Sequence, residues 1–225
     1  MPAIGAATAS GSGGQPHRDL ILSNERTYAT WAVANYASVV RVAPDPAARR
    51  VGKLRLTTPD GFLESFILLR EHWTHSKAWV KLRVPGRPNG RTGWVPRPAL
   101  ESFAVTHKVI VVDRAAERLT VYHLGRSVFR APVGTGKPST PTPSGHFWIT
   151  EGFRSNNPFY GPWAFATSDY SSLVHWPGGG VVGLHGTNEP SLVPGHPSHG
   201  CIRLHNRDIL RLKRLVAIGT PVIVK

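Results

Sequence analysis

Several things are scarce in this chain of 225 residues. It has one cysteine, Cys201, so no disulfide can close within the chain and a disulfide-stapled scaffold is excluded. No run approaches the ~20 apolar residues that a membrane-crossing helix needs, so no transmembrane segment is expected. Acidic residues are few: 13 Asp and Glu stand against 27 Lys and Arg, a net charge of +14. Residues 1–104 hold 14 basic against 7 acidic side chains and residues 105–225 hold 13 against 6, so each half carries +7 and the charge is not a tail. A basic field of this kind favours polyanionic partners: nucleic acid, an anionic membrane or an acidic wall polymer. A Lys/Arg run, an aromatic–basic repeat and a recognition motif are all missing, so nucleic acid is not an expected partner. Met1 to Asp19 lacks the basic and apolar regions of a signal peptide and reads as a flexible tail or linker remnant. Three routes stay open: a cytoplasmic chain, a leader upstream of this Met, or export by another signal.

What is present is core material, with seven Trp, eight Phe and five Tyr. Pro and Gly alternate with short apolar runs, so the chain reads as mainly β. Leu54 to Thr57 is an expected strand ending at the turn signal Pro59-Asp60-Gly61. Trp79 to Val84 alternates with period two, Pro85 to Gly90 forms a loop, and Gly93-Trp94-Val95-Pro96 resumes the sheet. This pattern over residues 25–103 resembles the small SH3-like barrel that often precedes bacterial cell-wall enzymes.

A second unit, residues 106–225, opens with a strand over Lys108–Asp113, a turn at Arg114–Glu117 and a return strand over Arg118–Tyr122. With Val128–Ala131 this makes a three-stranded meander. Val133 to Gly145 is dense in Gly, Pro, Ser and Thr and reads as a long loop before a strand over Gly145–Ile149. One helix is expected, with Asn206 as N-cap, Asp208 in its first turn, and Ile209, Leu212, Leu215 and Val216 as its apolar stripe. Gly219 closes it, and Pro221 starts the last strand. That stripe is core, not a cofactor site.

Chemistry concentrates in two segments, His185-Gly186-Thr187 and Ser198-His199-Gly200-Cys201-Ile202-Arg203. A lone thiol near imidazoles is a candidate nucleophile, because a thiol needs a base or a cationic neighbour to become reactive. His185 ends an apolar strand, and the loop between the segments can return the chain so that His185 faces Cys201. Gly200 allows close approach of substrate, and the N–H groups around Cys201 suit an oxyanion. Arg203 alternates outward in an extended segment and suits a substrate carboxylate.

His185-Gly186-Thr187-Asn188-Glu189-Pro190-Ser191 followed by Ser198-His199-Gly200-Cys201-Ile202-Arg203-Leu204 resembles the signature of the L,D-transpeptidases of the bacterial cell wall, of YkuD type. The Val133–Lys137 and Thr140–Gly145 stretches are similar to the same family. One departure is Arg203, where some members have Asn. The resemblance implies a β-sandwich-like catalytic fold with one helix near the C-terminus and a cysteine acyltransferase. Cys201 would be the nucleophile and His185 the proton acceptor and donor. Gly200, Ser198, His199, Arg203, Gly186 and Thr187 would shape the oxyanion and substrate site. The partner would be a peptidoglycan tetrapeptide stem: a thioester forms, D-alanine leaves, and an amine of a second stem gives a 3→3 cross-link. Resolution by water would make an L,D-carboxypeptidase. The same resemblance implies a cell-envelope location, no cofactor, and inhibition by carbapenems.

Two rivals differ in class. His185, His196, His199, Cys201 and His205 could together ligate zinc, but their spacing is not a usual zinc pattern and no metal is expected. A non-catalytic wall-binding protein is the other, against which intact His185, Gly200 and Cys201 argue. His72, His75, His107, His123, His146 and His175 read as surface or packing residues. Tyr160, Trp163 and Trp176 either line a cleft or pack in the core.

Overall fold

The computed structural model describes residues 19–74, 77–175 and 177–225. Residues 1–18 of the expected tail, together with His75 and Trp176, lie outside the described residues. Asp19, expected at the end of the tail, instead opens a strand and pairs with His72.

Alternating burial in short runs makes strands. The first eight are β1 (Asp19–Ile21), β2 (Ala29–Val33), β3 (Ser38–Arg41), β4 (Arg50–Leu54), β5 (Ser65–Thr74), β6 (Lys77–Arg83), β7 (Thr92–Pro96) and β8 (Ala104–Thr106). They form one sheet in the order β4-β3-β7-β6-β5-β2-β8, with β1 on β5. The strand expected from Leu54 lies earlier: Leu54 ends β4, and Thr57 makes an isolated bridge to Leu63 around the Pro59–Gly61 turn. Phe66, Leu68, Val80, Leu82 and Val95 are fully buried in the core of this unit.

The remaining strands are β9 (Lys108–Asp113), β10 (Arg118–His123), β11 (Arg126–Pro132), β12 (Gly134–Gly136), β13 (Gly145–Phe153), β14 (Ala164–Tyr170), β15 (Val181–His185), β16 (Gly195–Ser198), β17 (Ile202–Arg203) and β18 (Pro221–Val224), with one helix, α1 (Asn206–Leu215). Their sheet runs β11-β10-β9-β18-β13-β14-β15-β17-β12-β16. The meander is β9-β10-β11. The stretch read as loop from Val133 to Gly145 contains β12, which pairs with β16 and β17; Gly134 and Gly136 permit this because neighbouring chain lies where their Cβ atoms would be. α1 buries Ile209 and Leu212 in one cluster with Leu184 and Ile202 of the sheet and with Leu204, which follows β17. His205, not Asn206, caps it, which frees the Asn206 side chain for another partner.

The two sheets meet through side chains. Trp148 of β13 is 2% exposed and packs with Ala29 and Ile67 of the first sheet. Its indole N–H donates to Ser65 O at 3.0 Å. Glu25 bonds Arg83 at 2.7 Å and faces His146 Nδ1 of β13 at 3.5 Å. Burial pushes the Glu25 carboxyl up, but the bonds from His146 and Arg83 outweigh it and hold it at about 2. Gly219, at φ +80, lies against the Trp31 ring so closely that a Cβ has no room.

Trp148→Ala is expected to cost about 3–5 kcal/mol of unfolding free energy, measured by urea denaturation. The depressed Glu25 carboxyl contributes stability that is complete above its unfolded pKa near 4.5 and is lost as pH falls toward 2. Glu25→Gln should flatten that acid limb in melts recorded from pH 5 to pH 2.

Candidate active site

β15 and β17 are parallel neighbours, with Leu184 opposite Ile202 and His185 opposite Arg203. This register sets Cys201, the residue before β17, beside Gly183, whose N–H points at Sγ at 3.4 Å. Gly183 and His185 share a face of β15 because strand side chains alternate. Cys201 and His185 line one cleft, with Phe159 and Tyr160 on one side and Ser171 and Val182 on another.

His185 is 1% exposed. Its Nδ1 lies 2.6 Å from the Gly186 carbonyl, which only accepts, so Nδ1 carries the proton and Nε2 the lone pair. Nε2 is buried and has no partner. Tyr160 packs edge-on at 4.9 Å and Phe159 at 5.8 Å between ring centroids. Burial drives the imidazole pKa down to about 4, against the Gly186 bond; the charge of Arg203 lowers it further. Burial also pushes the Cys201 thiol up, opposed by the Gly183 N–H and Arg203 and reinforced by Asp169. At neutral pH the pair is therefore thiol and neutral imidazole, not the preformed thiolate that adjacent histidines suggest.

The turn carrying Cys201 is braced from within. Ser198 Oγ accepts from Gly200 N at 3.0 Å and donates to Cys201 O at 2.6 Å. Thr142 Oγ1 donates to Gly200 O at 2.8 Å and accepts from Gly136 N. Gly200, at φ +125, has Ser171 Cβ only 3.1 Å from where its own Cβ would be. Both backbone groups of Gly200 are thus engaged within the turn. Ser198 is buried and braces the turn while also lining the cleft. Gly186 and Thr187 frame the other rim: Asn206 Oδ1 accepts from Thr187 N at 2.9 Å, which is what Asn206 does in place of capping.

Arg203 lines the cleft but does not turn outward. It is 4% exposed, its Nη1 donates to Glu189 Oε2 at 2.7 Å, and its guanidinium covers the Phe159 ring at 4.7 Å. Arg203 lines the same cleft as Cys201, as i, i+2 alternation predicts, and its charge acts on His185 and Cys201. His199 is half-buried and lines the cleft; burial, then Lys137 and Arg203, lowers its pKa. His196 turns to Thr135 and Glu117, and His205 to the Pro190 carbonyl. Among the described residues no group of three or more His, Cys, Asp or Glu is placed to hold a metal ion. Tyr160 lines the cleft, Trp163 packs on the core, and Trp176 is outside the described residues.

The places of Gly183, Phe159 and Asp169 around the site escaped the sequence reading. Gly183 alone left a signal, as a glycine inside an apolar strand two residues before His185, which marks close approach.

The descriptive family model of the L,D-transpeptidase catalytic domain, YkuD, matches residues 107–224. Over 113 residues the chain is 38% identical to YkuD of Bacillus licheniformis, covering 50% of this chain and 62% of that protein. Over 224 residues it is 30% identical to YbiS of Escherichia coli, covering 86% of this chain and 72% of that protein. Both relatives carry the name L,D-transpeptidase. The match to the Bacillus subtilis YkuD spans 64% of that protein, so these two curated relatives are matched over less than two thirds of their length. The solved catalytic domain of an E. faecium L,D-transpeptidase is 26% identical, with a TM-score of 0.40, covering 52% of this chain and 96% of that one. The chain belongs to the L,D-transpeptidase family, through a YkuD catalytic domain over residues 107–224.

Ser198→Ala leaves the buried Gly200 N–H without its acceptor, at a cost of about 1–3 kcal/mol. Urea denaturation should record that loss, and Ser198→Thr, which keeps the oxygen, should lose less.

Proposed function

We propose that the chain is a peptidoglycan acyltransferase that works through Cys201 and His185. The observation that carries this reading is the unpartnered Nε2 of His185, its tautomer set by Gly186, in one cleft with the thiol. Nε2 takes the Cys201 proton as Sγ attacks the carbonyl at the L-centre of the diamino acid in a tetrapeptide stem. The C–N bond to D-alanine breaks, and the proton on Nε2 passes to the departing amine. The acyl group stays on Sγ as a thioester. A deprotonated amine of a second stem then attacks, the C–S bond breaks, and the thiol is restored with a 3→3 cross-link. Two lower barriers replace one amide exchange. Water in place of the amine gives the L,D-carboxypeptidase product instead.

The other residues take roles consistent with their surroundings. Arg203 steadies the charge that develops on Sγ, Gly200 keeps the approach clear, and His199 faces substrate at the rim. Gly186 and Thr187 hold His185. Residues 106–225 are read as the catalytic domain and residues 25–103 as an SH3-like domain that binds wall peptides. The basic surface suits an anionic wall, and the chemistry needs no ATP and no cofactor, which fits an envelope location. Carbapenems are read as acylating inhibitors at Cys201.

Cys201→Ala should abolish D-alanine release from a disaccharide-tetrapeptide, and mass spectrometry of the parent should show an adduct on Cys201 with a carbapenem. Undiminished release by Cys201→Ala would end this reading. Because burial holds His185 at about 4, its base form persists well below the usual imidazole range. The kcat/KM profile should lose activity only as pH falls through about 4, and an acid limb near 6.5 would contradict the buried neutral base.

A further inference from the structure

The loop between β6 and β7 leaves the first sheet and ends on the second. Its shape is set by Arg91, which donates to Pro88 O at 3.2 Å, Pro85 O at 3.1 Å and Val51 O at 3.0 Å. A loop tied to its own base in this way projects as a stiff arm. At its tip are Arg87 and Asn89.

Arg87 spends its guanidinium on one short stretch. Nε and Nη2 donate to Ser171 O at 3.2 and 2.9 Å, and Nη2 also reaches Gly179 O at 3.0 Å. The guanidinium lies 5.0 Å from the Tyr170 ring centroid. Asn89 Nδ2 donates to Asp169 Oδ1 at 2.8 Å and Tyr170 O at 2.9 Å, and Asn89 Oδ1 accepts from Tyr170 N at 3.2 Å. The fit is close enough that a Cβ at Gly180 would lie 2.5 Å from Arg87 Nη2.

That stretch is one wall of the Cys201 cleft. Ser171 and Gly180 line it. Ser171 N donates to Gly180 O at 2.8 Å and closes the wall at its base. Ser171 Cβ rests against Gly200, the residue before Cys201. A continuous path therefore runs from Arg87 through Ser171 and Gly200 to the thiol. Trp148 and Glu25 already join the two sheets elsewhere, whereas Arg87 and Asn89 address the stretch from Asp169 to Gly179 beside the cleft.

We propose that Arg87 and Asn89 are positioning residues for acyl transfer, holding the Ser171–Gly180 wall so that the donor stem is seated against Cys201. The N-terminal unit then belongs to the active site. This rests on the reading of Cys201 as the nucleophile, and the experiment separates the two.

Purified full chain and the variants Arg87→Ala, Arg87→Lys, Asn89→Ala and Cys201→Ala are compared on a disaccharide-tetrapeptide, with thermal melts to establish folding. Iodoacetamide, which is small and needs no wall, reports the thiol alone. Folded Arg87→Ala and Asn89→Ala are expected to raise KM about tenfold or more, with kcat changed less than about threefold and alkylation of Cys201 within about twofold of the parent. Arg87→Lys keeps the charge but not the fork and is expected to resemble Arg87→Ala. Parental KM in both folded alanine variants overturns the proposal. Alkylation falling by the same factor as kcat/KM overturns it too, since the loss is then at the thiol. D-alanine release by Cys201→Ala would overturn the nucleophile reading whatever the Arg87 variants do.

Discussion

The site depends on the pairing of two short parallel strands, β15 and β17. Parallel neighbours cannot be joined by a tight turn, so the chain must leave the sheet and return. The excursion between His185 and Cys201 is used structurally: it supplies Glu189 to hold Arg203 and β16 to pair with β12. A register in which His185 lies opposite Arg203 puts Gly183 beside Cys201. A slip of one residue would turn every side chain of β17 to the other face and break the pair. The glycines at 183 and 200 are tolerated for this reason: each occupies a place where another atom must come close.

Burial then decides the protonation states. Two groups that would exchange a proton in water are both driven toward their neutral forms when desolvated. His185 is pushed down to about 4 and Cys201 is pushed up, so neither carries a resting charge. The charge of Arg203 reinforces this shift at His185 and opposes it at Cys201. Its own burial is made tolerable by Glu189 and by the face of Phe159. A resting thiol is less prone to adventitious oxidation than a thiolate. The proton need move only when a carbonyl carbon arrives to accept the electron pair.

Much of this was legible from the amino acids. The meander, the helix and the last strand each follow from a local signal: period-two alternation, an apolar stripe, and Gly219 followed by Pro221. His185 at the end of a strand and Cys201 after a loop were readable because glycine and histidine mark them. What was not readable depended on contacts distant in sequence. Asn206 has the composition of an N-cap, yet its side chain turns to Thr187, and no local rule weighs one backbone N–H against another 19 residues away. Arg203 shares the cleft side of Cys201, as alternation expects, but its burial rests on Phe159 and Glu189, contacts distant in sequence. β12 lay hidden in a Gly- and Pro-rich stretch because its pairing partners come from residues 195–203.

The scarcity of acidic residues acquires a meaning once they are located. Glu25, Glu64 and Glu189 are each engaged with an arginine: Arg83, Arg55 and Arg203. Asp169 is kept out of water, and burial raises its carboxyl to about 8 although Asn89 and the Tyr170 N–H oppose the shift. Three of these groups thus serve joints within the fold, Glu25 between the sheets, Glu64 in the first sheet's loop and Asp169 under the arm tip, while Glu189 holds Arg203 from an exposed position. Each ion pair removes one cation along with one anion, so pairing leaves the balance untouched: the excess of +14 follows from 27 Lys and Arg against 13 Asp and Glu, and it is this surplus of cations that gives the protein a field suited to a polyanionic partner.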